Sequence, residues 1–155
     1  MTLPIYVLNG PTLNLLGIRE PEIYGRATLA EIERLTAGQA KLHGLDIIFR
    51  QTNEEGTLIG WVQEARESAS GIILNAAAYT HTSVALYDAL RACEKPIIEV
   101  HLSNPYRREQ FRRHSYVSLV AAGIIVGFRE AGYTMAVDAM AKIIGSGAHE
   151  RRRPN

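Results

Sequence analysis

Residues 71–101, GIILNAAAYTHTSVALYDALRACEKPIIEVH, contain two apolar runs separated by one helical pattern. The first run, Gly71 to Leu74, is short and bounded by polar residues, as is typical of a buried strand, and Pro96 to Val100 is a second run of this kind. Between them, Ser83 to Ala92 predicts a helix. A strand, a helix and another strand in this order predict two parallel strands joined by a crossover helix.

The same alternation continues on both sides of this unit. Further strands are predicted at Pro4–Leu8, Leu45–Arg50 and Ala121–Phe128. Further helices are predicted at Thr28–His43, where Thr28 and Glu31 form a capping box, at Glu54–Ser68, and along the Tyr133–Ile144 stripe. Continuous apolar strands alternating with helices indicate a parallel sheet covered on both faces. We therefore predict an α/β protein with a flavodoxin-like three-layer fold and a five-stranded parallel sheet.

Length and composition limit the possible classes of protein. The chain has 155 residues, 46% of them hydrophobic and 21% charged, which fits one globular domain over residues 1–147. Residues 148–155 are basic, and we expect them to form a mobile, solvated tail. No apolar run approaches the ~18 residues that span a bilayer, and no secretory signal is visible. With one cysteine and a net charge of +1, we expect a cytoplasmic protein that binds neither membranes nor nucleic acid.

Three polar segments follow predicted strands one, three and four. They are Asn9–Gly25, Asn75–Ser83 and His101–Arg113. In open parallel sheets, ligands bind outside the carboxyl ends of the strands, near the reversal in strand order. We therefore expect a ligand site to be built from these three segments.

Glu99 and His101 lie two residues apart on the fourth predicted strand. Residues with this spacing point to the same face, so Glu99 can hold the tautomer and orientation of the His101 ring. A histidine oriented in this way is suited to general acid catalysis. A purely structural His–Glu pair is an alternative that the residues alone leave open.

The Asn9–Gly25 segment lacks the motifs of common nucleotide sites. It contains neither GxxxxGK[ST] nor GxGxxG, and the chain shows no Cys/His cluster with metal-ligand spacing. It does place Arg19 five residues before Tyr24. A free tyrosine has a pKa of about 10, so ionising it at pH 7 costs about 4 kcal/mol, and a nearby guanidinium lowers that cost. Arg19 can thus support Tyr24 as a general base, although a tyrosine alone in a loop more often has only a structural role.

The other two segments offer hydrogen-bond donors for an anionic or hydroxylated ligand. Asn75, His81 and Ser83 precede a predicted helix N-terminus, where Thr82 or Ser83 can also act as a simple cap. Arg108 and Arg112 are four residues apart, and we predict a helical turn that puts both on one face. A solvated basic turn is the alternative for this pair.

Together, these segments resemble type II 3-dehydroquinate dehydratase over nearly the whole chain. The resemblance rests on five blocks in the same order and spacing: NGPTLNLLG at 9–17, REPEIYG at 19–25, YTHTSVALYDAL at 79–90, EVHLSN at 99–104 and REQFRRHSY at 108–116. It implies the dehydration of 3-dehydroquinate to 3-dehydroshikimate through an enolate-type intermediate, without metal or cofactor. It also implies self-assembly to a homododecamer, a tetramer of trimers.

The resemblance also implies roles for individual residues. Tyr24 removes the C2 proton, Arg19 favours its ionised form, and His101 protonates the departing C1 hydroxyl. The substrate-binding residues are Asn75, His81, Asp88, Leu102, Ser103 and Arg112, and Asp88 acts in the site of a neighbouring subunit. Glu99, Arg108 and Thr12 support the site.

Two positions depart from the family pattern. Thr12 stands where the family usually has Asn, and Ala76-Ala77 replaces the usual Pro-Gly. Both changes concern the rate and the affinity for inhibitors more than the class of reaction. The resemblance does not distinguish biosynthesis in the shikimate pathway from quinate catabolism.

Two other readings compete with a dehydratase. One is a non-catalytic flavodoxin-like module that binds a nucleotide or phosphate through Asn9–Gly25. The other is a degenerate family member kept for assembly. The presence of Arg19, Tyr24 and His101 together argues against the second reading, because an assembly role does not require all three.

Overall fold

The computed structural model describes residues 2–146, so the predicted tail at 148–155 lies outside the described residues. Within residues 2–146, five strands form one sheet: β1 (Ile5–Asn9), β2 (Ile47–Gln51), β3 (Gly71–Asn75), β4 (Ile97–His101) and β5 (Gly123–Val126). The helices of this part of the chain are α1 (Pro21–Tyr24), α2 (Leu29–Leu42), α3 (Glu55–Ser68), α4 (Val84–Cys93) and α5 (Ala131–Ser146). Predicted strand and helix ends differ from these bounds by at most two residues.

The sheet has the order β2-β1-β3-β4-β5, and every neighbouring pair is parallel. The order reverses between β1 and β3, because the chain runs from β1 to one side and then crosses to the other. Asn9 at the end of β1 lies beside Asn75 at the end of β3. This arrangement confirms the predicted flavodoxin-like fold and puts the segments that follow β1 and β3 side by side.

Each face of the sheet carries one buried apolar cluster. The cluster that contains Tyr6, Leu74 and Leu86 packs against α3 and α4, and the cluster that contains Val7, Ile98 and Tyr133 packs against α2 and α5. Strands β1, β3 and β4 are buried at every position, whereas β2 and β5 at the edges are partly exposed. The continuous apolar runs in the sequence therefore mark the three strands that helices cover on both faces.

Local signals in the sequence begin two of the helices. The capping box predicted at α2 is present, since the Glu31 backbone N–H donates to Thr28 Oγ1 and the Thr28 N–H donates to the Glu31 carboxylate. Ser83 caps α4 by accepting from the Leu86 N–H at 2.9 Å. These caps fix where the chain enters each helix and thus where the preceding loop ends.

Gly10 allows the loops after β1 and β3 to touch. Its N–H donates to the Asn75 carbonyl, and a Cβ added at residue 10 would lie 2.4 Å from the Ala76 carbonyl oxygen. No real side chain tolerates such a contact with backbone, so only glycine fits here. The close approach brings the two polar segments together at the carboxyl edge of the sheet.

In the part of the chain covered by residues 2–146, no helix has both the length and the apolar character needed to cross a bilayer.

Candidate active site

One cavity lies at the carboxyl edge of the sheet, where the segments after β1, β3 and β4 meet. It is lined by most of the site residues named from the sequence: Thr12, Arg19, Tyr24, Asn75, His81, His101, Leu102, Ser103, Arg108 and Arg112. Sequence reasoning did not identify the apolar residues that complete the wall, Pro11, Leu13, Ala77, Ala78 and Pro105. Such residues carry no chemical signal in a sequence, because they act through shape.

Glu99 and His101 form a buried pair at the end of β4, as their spacing predicted. His101 Nε2 donates to Glu99 Oε2 at 2.5 Å, and both residues are less than a tenth exposed. Ser115 and Ser118 donate to the two carboxylate oxygens of Glu99 at 2.9 and 2.5 Å. Burial raises the pKa of Glu99, but the hydrogen bonds from His101 and the two serines outweigh it and hold the pKa below its ordinary value. The ionised carboxylate therefore fixes the tautomer and orientation of the His101 ring.

His81 packs beside His101 on the wall of the cavity. Its Nδ1–H donates to the His114 carbonyl at 2.7 Å, and its ring stacks on His101 with centroids 6.4 Å apart. Burial, opposed in part by this hydrogen bond, lowers the pKa of His81 below its ordinary value, and the positive charge of Arg112 lowers it further. His81 is therefore neutral at pH 7, and its Nε2 is left as a hydrogen-bond acceptor.

We expect acidification from pH 7 to pH 4 to lower the free energy of unfolding. The pKa values of His81 and Glu99 are both below their ordinary values in the folded chain, so the unfolded chain binds these protons first. Their stabilising contribution is complete above about pH 6.5 and is lost as pH falls through each folded pKa. Urea unfolding at several pH values measures the effect.

The variant Glu99→Gln isolates the carboxylate in this titration. Between pH 5 and pH 3 it should lose less stability than the parent protein, whereas the exposed control Glu67→Gln should follow the parent. Equal stability at pH 4 and pH 7 in the parent protein would contradict the expected sign.

Asn75 is fixed by a buried chain of hydrogen bonds that the sequence did not reveal. Asn75 Nδ2 donates to the Tyr133 hydroxyl at 3.0 Å, and Tyr133 donates to Asn9 Oδ1 at 2.6 Å. Complete burial raises the pKa of Tyr133 well above its ordinary value, so this hydroxyl keeps its proton. The amide nitrogen of Asn75 has a second hydrogen, which is left for a ligand in the cavity.

Tyr24 lies between two guanidinium groups. The Arg19 Cζ atom is 4.8 Å from the centre of the Tyr24 ring, and the Arg108 Cζ atom is 5.0 Å from it. Arg108 also donates to Ser103 Oγ at 3.2 Å, which ties it to the segment after β4. The sequence predicted one cation beside Tyr24, and the fold supplies two.

We call Arg19–Gly25 the lid segment; it brings Arg19, and Tyr24 at the end of the helical turn α1, to the cavity. Gly17 and Gly25 on either side have φ values of +89° and +88°, and Glu20 has a φ of +37°. These left-handed conformations turn the chain sharply at both ends of α1. The glycines in the sequence mark these turns.

The prediction of one helical turn through Arg108 and Arg112 is wrong. The chain instead forms two short 3-10 turns, Pro105–Arg107 and Gln110–Arg113, with Arg108 extended between them. Asn104 caps the first turn through the Tyr106 N–H, and Arg112 Nε donates to the Glu109 carboxylate at 2.7 Å in the second. Both arginines nevertheless line the cavity.

Asp88 and Glu99 are the two predicted site residues that do not line the cavity. Glu99 is buried behind His101, whereas Asp88 lies exposed on α4. The role of Asp88 in a neighbouring subunit stays a prediction. Among the described residues 2–146, no cluster of three or more His, Cys, Asp or Glu side chains is arranged to hold a metal ion.

Thr12 occupies a left-handed conformation, with φ +70° and ψ −8°. Its backbone N–H donates to Asn53 Oδ1 at 2.9 Å, which holds it in place. This conformation is costly for a β-branched residue, whereas Asn adopts it readily. Ala77, at φ +51°, shares this feature in the second segment that departs from the family pattern.

We expect Thr12→Asn to raise the free energy of unfolding by about 1 kcal/mol, because it relieves the backbone conformation. Urea denaturation measures the change. Thr12→Val is the matched control, since it keeps the branching at Cβ, and it should give no gain. A lower stability for Thr12→Asn than for the parent would show that residue 12 is not strained.

Comparison with known proteins agrees with the fold and the geometry of the cavity. The profile of the family described as "Dehydroquinase class II" matches residues 3–141. A protein of Caulobacter sp. (strain K31) named "3-dehydroquinate dehydratase" is 54% identical over 94% of this chain and 99% of its own length. A Phenylobacterium zucineum protein of the same name is 57% identical over 91% of this chain and 97% of its own length. The crystal structure of the type II dehydroquinase from Propionibacterium acnes superimposes with a TM-score of 0.87 and 40% identity, over 92% of this chain and 98% of that one.

The matched region contains every strand of the sheet and every residue that lines the cavity. The two relatives are identical to this chain at just over half of the aligned positions, and the alignments cover nearly all of its length. The chain therefore belongs to the class II dehydroquinase family.

Proposed function

We propose that this cavity eliminates water from 3-dehydroquinate to give 3-dehydroshikimate, with Tyr24 as the base and His101 as the acid. The observation that carries the proposal is the position of Tyr24 between Arg19 and Arg108, in the same cavity as a histidine anchored by Glu99. A phenol oxygen near two cations and an imidazole held by a carboxylate provide the two proton-transfer groups that an elimination needs.

Tyr24 acts in the first step. The ionised phenol oxygen takes the proton from C2, which lies next to the ketone, and the electron pair of the C–H bond forms an enolate. The guanidinium groups of Arg19 and Arg108, whose Cζ atoms lie 4.8 and 5.0 Å from the centre of the Tyr24 ring, supply the positive charge beside which this phenolate is proposed to form. Hydrogen-bond donors that line the cavity are fixed before the reaction begins, so they stabilise the enolate as its negative charge develops.

His101 acts in the second step. The enolate electrons form the new C1–C2 double bond, the C1–O bond breaks, and His101 gives its proton to the departing hydroxyl, which leaves as water. One ring nitrogen of His101 is engaged by Glu99, so the other is available to carry this proton. Tyr24 then releases its proton to solvent, and His101 takes one up.

The remaining residues of the cavity bind the substrate. Arg112, whose guanidinium is held by Glu109, suits the substrate carboxylate. The second N–H of Asn75 and the free nitrogen of His81 suit the hydroxyl groups, together with Ser103 and the Leu102–Ser103 backbone. These groups fix the ring so that C2 faces Tyr24 and the C1 hydroxyl faces His101.

Membership of this family also suggests an oligomeric assembly and a cellular role for the chain. A homododecamer, built as a tetramer of trimers, would bring the exposed Asp88 of one subunit to the cavity of another. Sedimentation velocity tests the assembly, and a monomer would contradict the role given to Asp88. A cytoplasmic role in the shikimate pathway fits the reaction, and quinate catabolism uses the same step.

The test of the proposed function is an absorbance measurement. The product is a conjugated enone, so adding 3-dehydroquinate to the folded protein should produce a new ultraviolet band without added metal or cofactor. Protein treated with a chelator is the control and should be equally active. No band with folded protein would overturn the proposal and favour a binding module instead.

A further inference from the structure

A hydrogen bond connects the lid segment to the start of α5. The backbone hydrogen bonds of the lid segment are local: the N–H groups of Arg19, Tyr24 and Gly25 donate to the carbonyls of residues 15, 20 and 21. The Arg129 guanidinium reaches this segment from 107 positions along the chain and donates from Nη2 to the Glu22 carbonyl at 3.2 Å. Arg129 therefore joins the segment that carries Tyr24 to the body of the protein.

The carbonyl that Arg129 contacts is one that α1 itself cannot satisfy. The helix covers only Pro21–Tyr24, and the last carbonyls of any helix lack partners within the helix. A guanidinium at this end supplies a donor and a positive charge, both of which favour the helix C-terminus. Arg129 thus stabilises the one turn of helix that presents Tyr24 to the cavity.

The backbone of Arg129 is fixed beside the substrate-binding segment. Its N–H donates to the Leu102 carbonyl at 3.0 Å, and its carbonyl accepts from the Gly132 N–H at 3.1 Å. Arg129 has a φ of +54°, a left-handed conformation that is costly for arginine. The chain has an arginine here although glycine fits this backbone conformation better. This indicates that the arginine side chain has a function.

The stem of Arg129 also packs against the end of the lid segment. A Cβ added at Gly25 would lie 3.1 Å from Arg129 Cδ and 3.6 Å from Glu130 Oε2. The open side of Gly25 therefore faces the arginine directly. Packing at Gly25 and the hydrogen bond to Glu22 hold α1 and the residue that follows it against the same side chain.

We propose that Arg129 is a positioning residue that clamps the lid segment, and Tyr24 with it, over the cavity. The clamp connects Leu102, where the substrate binds, to Glu22 in the lid segment, so an occupied site favours a closed lid. The inference rests on the proposed function for its kinetic consequence only, because the clamp itself is a feature of the free protein.

Three variants of Arg129 distinguish an effect on the clamp from an effect on the overall stability of the protein. Arg129→Met keeps the length of the side chain and removes the donors, and Arg129→Lys keeps a charge and a donor. Arg129→Gly removes the clamp and relieves the left-handed backbone, so its free energy of unfolding should equal or exceed that of the parent. Arg34→Met, which removes an exposed arginine from α2, is the control.

Hydrogen exchange of the lid amides and steady-state kinetics are the two measurements. The Tyr24 and Gly25 amides should exchange about fivefold faster in the Met and Gly variants, because one hydrogen bond is lost. In the same variants kcat/KM should fall about fivefold, with Arg129→Lys in between and Arg34→Met unchanged. A merely structural role predicts that activity and stability change together, and Arg129→Gly should separate them.

Exchange of the lid amides at the parent rate in both Arg129→Met and Arg129→Gly would overturn the clamp. The exchange measurement needs no substrate, so it does not depend on the proposed function. Faster exchange in a protein that forms no enone would support the clamp and reject the dehydratase. Enone formation with unchanged lid exchange would reject the clamp alone.

Discussion

Replacing Tyr24 by Phe is expected to lower kcat by about 10²- to 10⁴-fold, the range that a positioned proton-transfer group contributes. Phe keeps the ring beside the guanidinium groups of Arg19 and Arg108 and removes only the oxygen that we propose takes the C2 proton. The fold and the affinity for 3-dehydroquinate should therefore stay close to those of the parent. The ultraviolet rate of enone formation measures kcat, and calorimetric titration measures substrate binding.

A second tyrosine offers a matched control for this variant. Tyr87 on α4 also has an arginine over its ring, with the Arg91 Cζ atom 5.9 Å from the ring centre, but it does not line the cavity. Tyr87→Phe should leave kcat unchanged. If Tyr24→Phe kept kcat within about threefold of the parent, Tyr24 would not be the base.

Replacing His101 by Gln is expected to have an effect of similar size, about 10²- to 10⁴-fold on kcat. Gln can still donate a hydrogen bond to Glu99, which keeps the buried carboxylate satisfied. It has no proton to transfer near neutral pH, so the C1 hydroxyl must leave without protonation. The variant should bind 3-dehydroquinate and accumulate little enone in the same absorbance assay.

The control for His101 is another histidine paired with a carboxylate. His43 Nε2, at the end of α2, lies 2.7 Å from Asp138 Oδ1 on α5 in a partly exposed pair. His43→Gln makes the same replacement in a histidine–carboxylate pair outside the cavity and should leave kcat intact. Comparable losses in both variants would mean that structural damage, rather than the missing acid, explains the effect of His101→Gln.

The sequence was most informative where one local rule determines the structure. The apolar run at Pro4–Leu8 predicts a covered strand because both faces of a central parallel strand are buried, as they are in β1. The pairing of Glu99 with His101 follows from the two-residue period of a strand. The ends of the strands then determine which three segments meet, so a large part of the cavity could be predicted.

The sequence was least informative about partners that are distant along the chain. Tyr133 showed only as part of an apolar helix stripe, yet its hydroxyl links Asn9 and Asn75, which are 124 and 58 positions away along the chain. Arg129 gave no signal for the same reason, because its target is the backbone carbonyl of Glu22. A long-range contact to a backbone carbonyl leaves no pattern in residue types, because any residue can supply that carbonyl.

The prediction of a helical turn through Arg108 and Arg112 was wrong for a different reason. A spacing of four residues is compatible with a helix but does not require one, and here Asn104 and Pro105 begin a separate turn that ends before Arg108. Similarly, residue 12 has a left-handed backbone although threonine disfavours it. In both places the loops at the edge of the sheet adopt a backbone conformation that the local sequence does not favour. Both places lie around the cavity.

The most direct test of the division of labour between Tyr24 and His101 is hydrogen exchange at C2 of 3-dehydroquinate, followed by NMR in deuterium oxide. In His101→Gln the enolate should form and return, so the C2 hydrogen should exchange well above the protein-free rate without much dehydration. In Tyr24→Phe the exchange should stay at the protein-free rate. Equal exchange by the two variants would contradict proton removal by Tyr24.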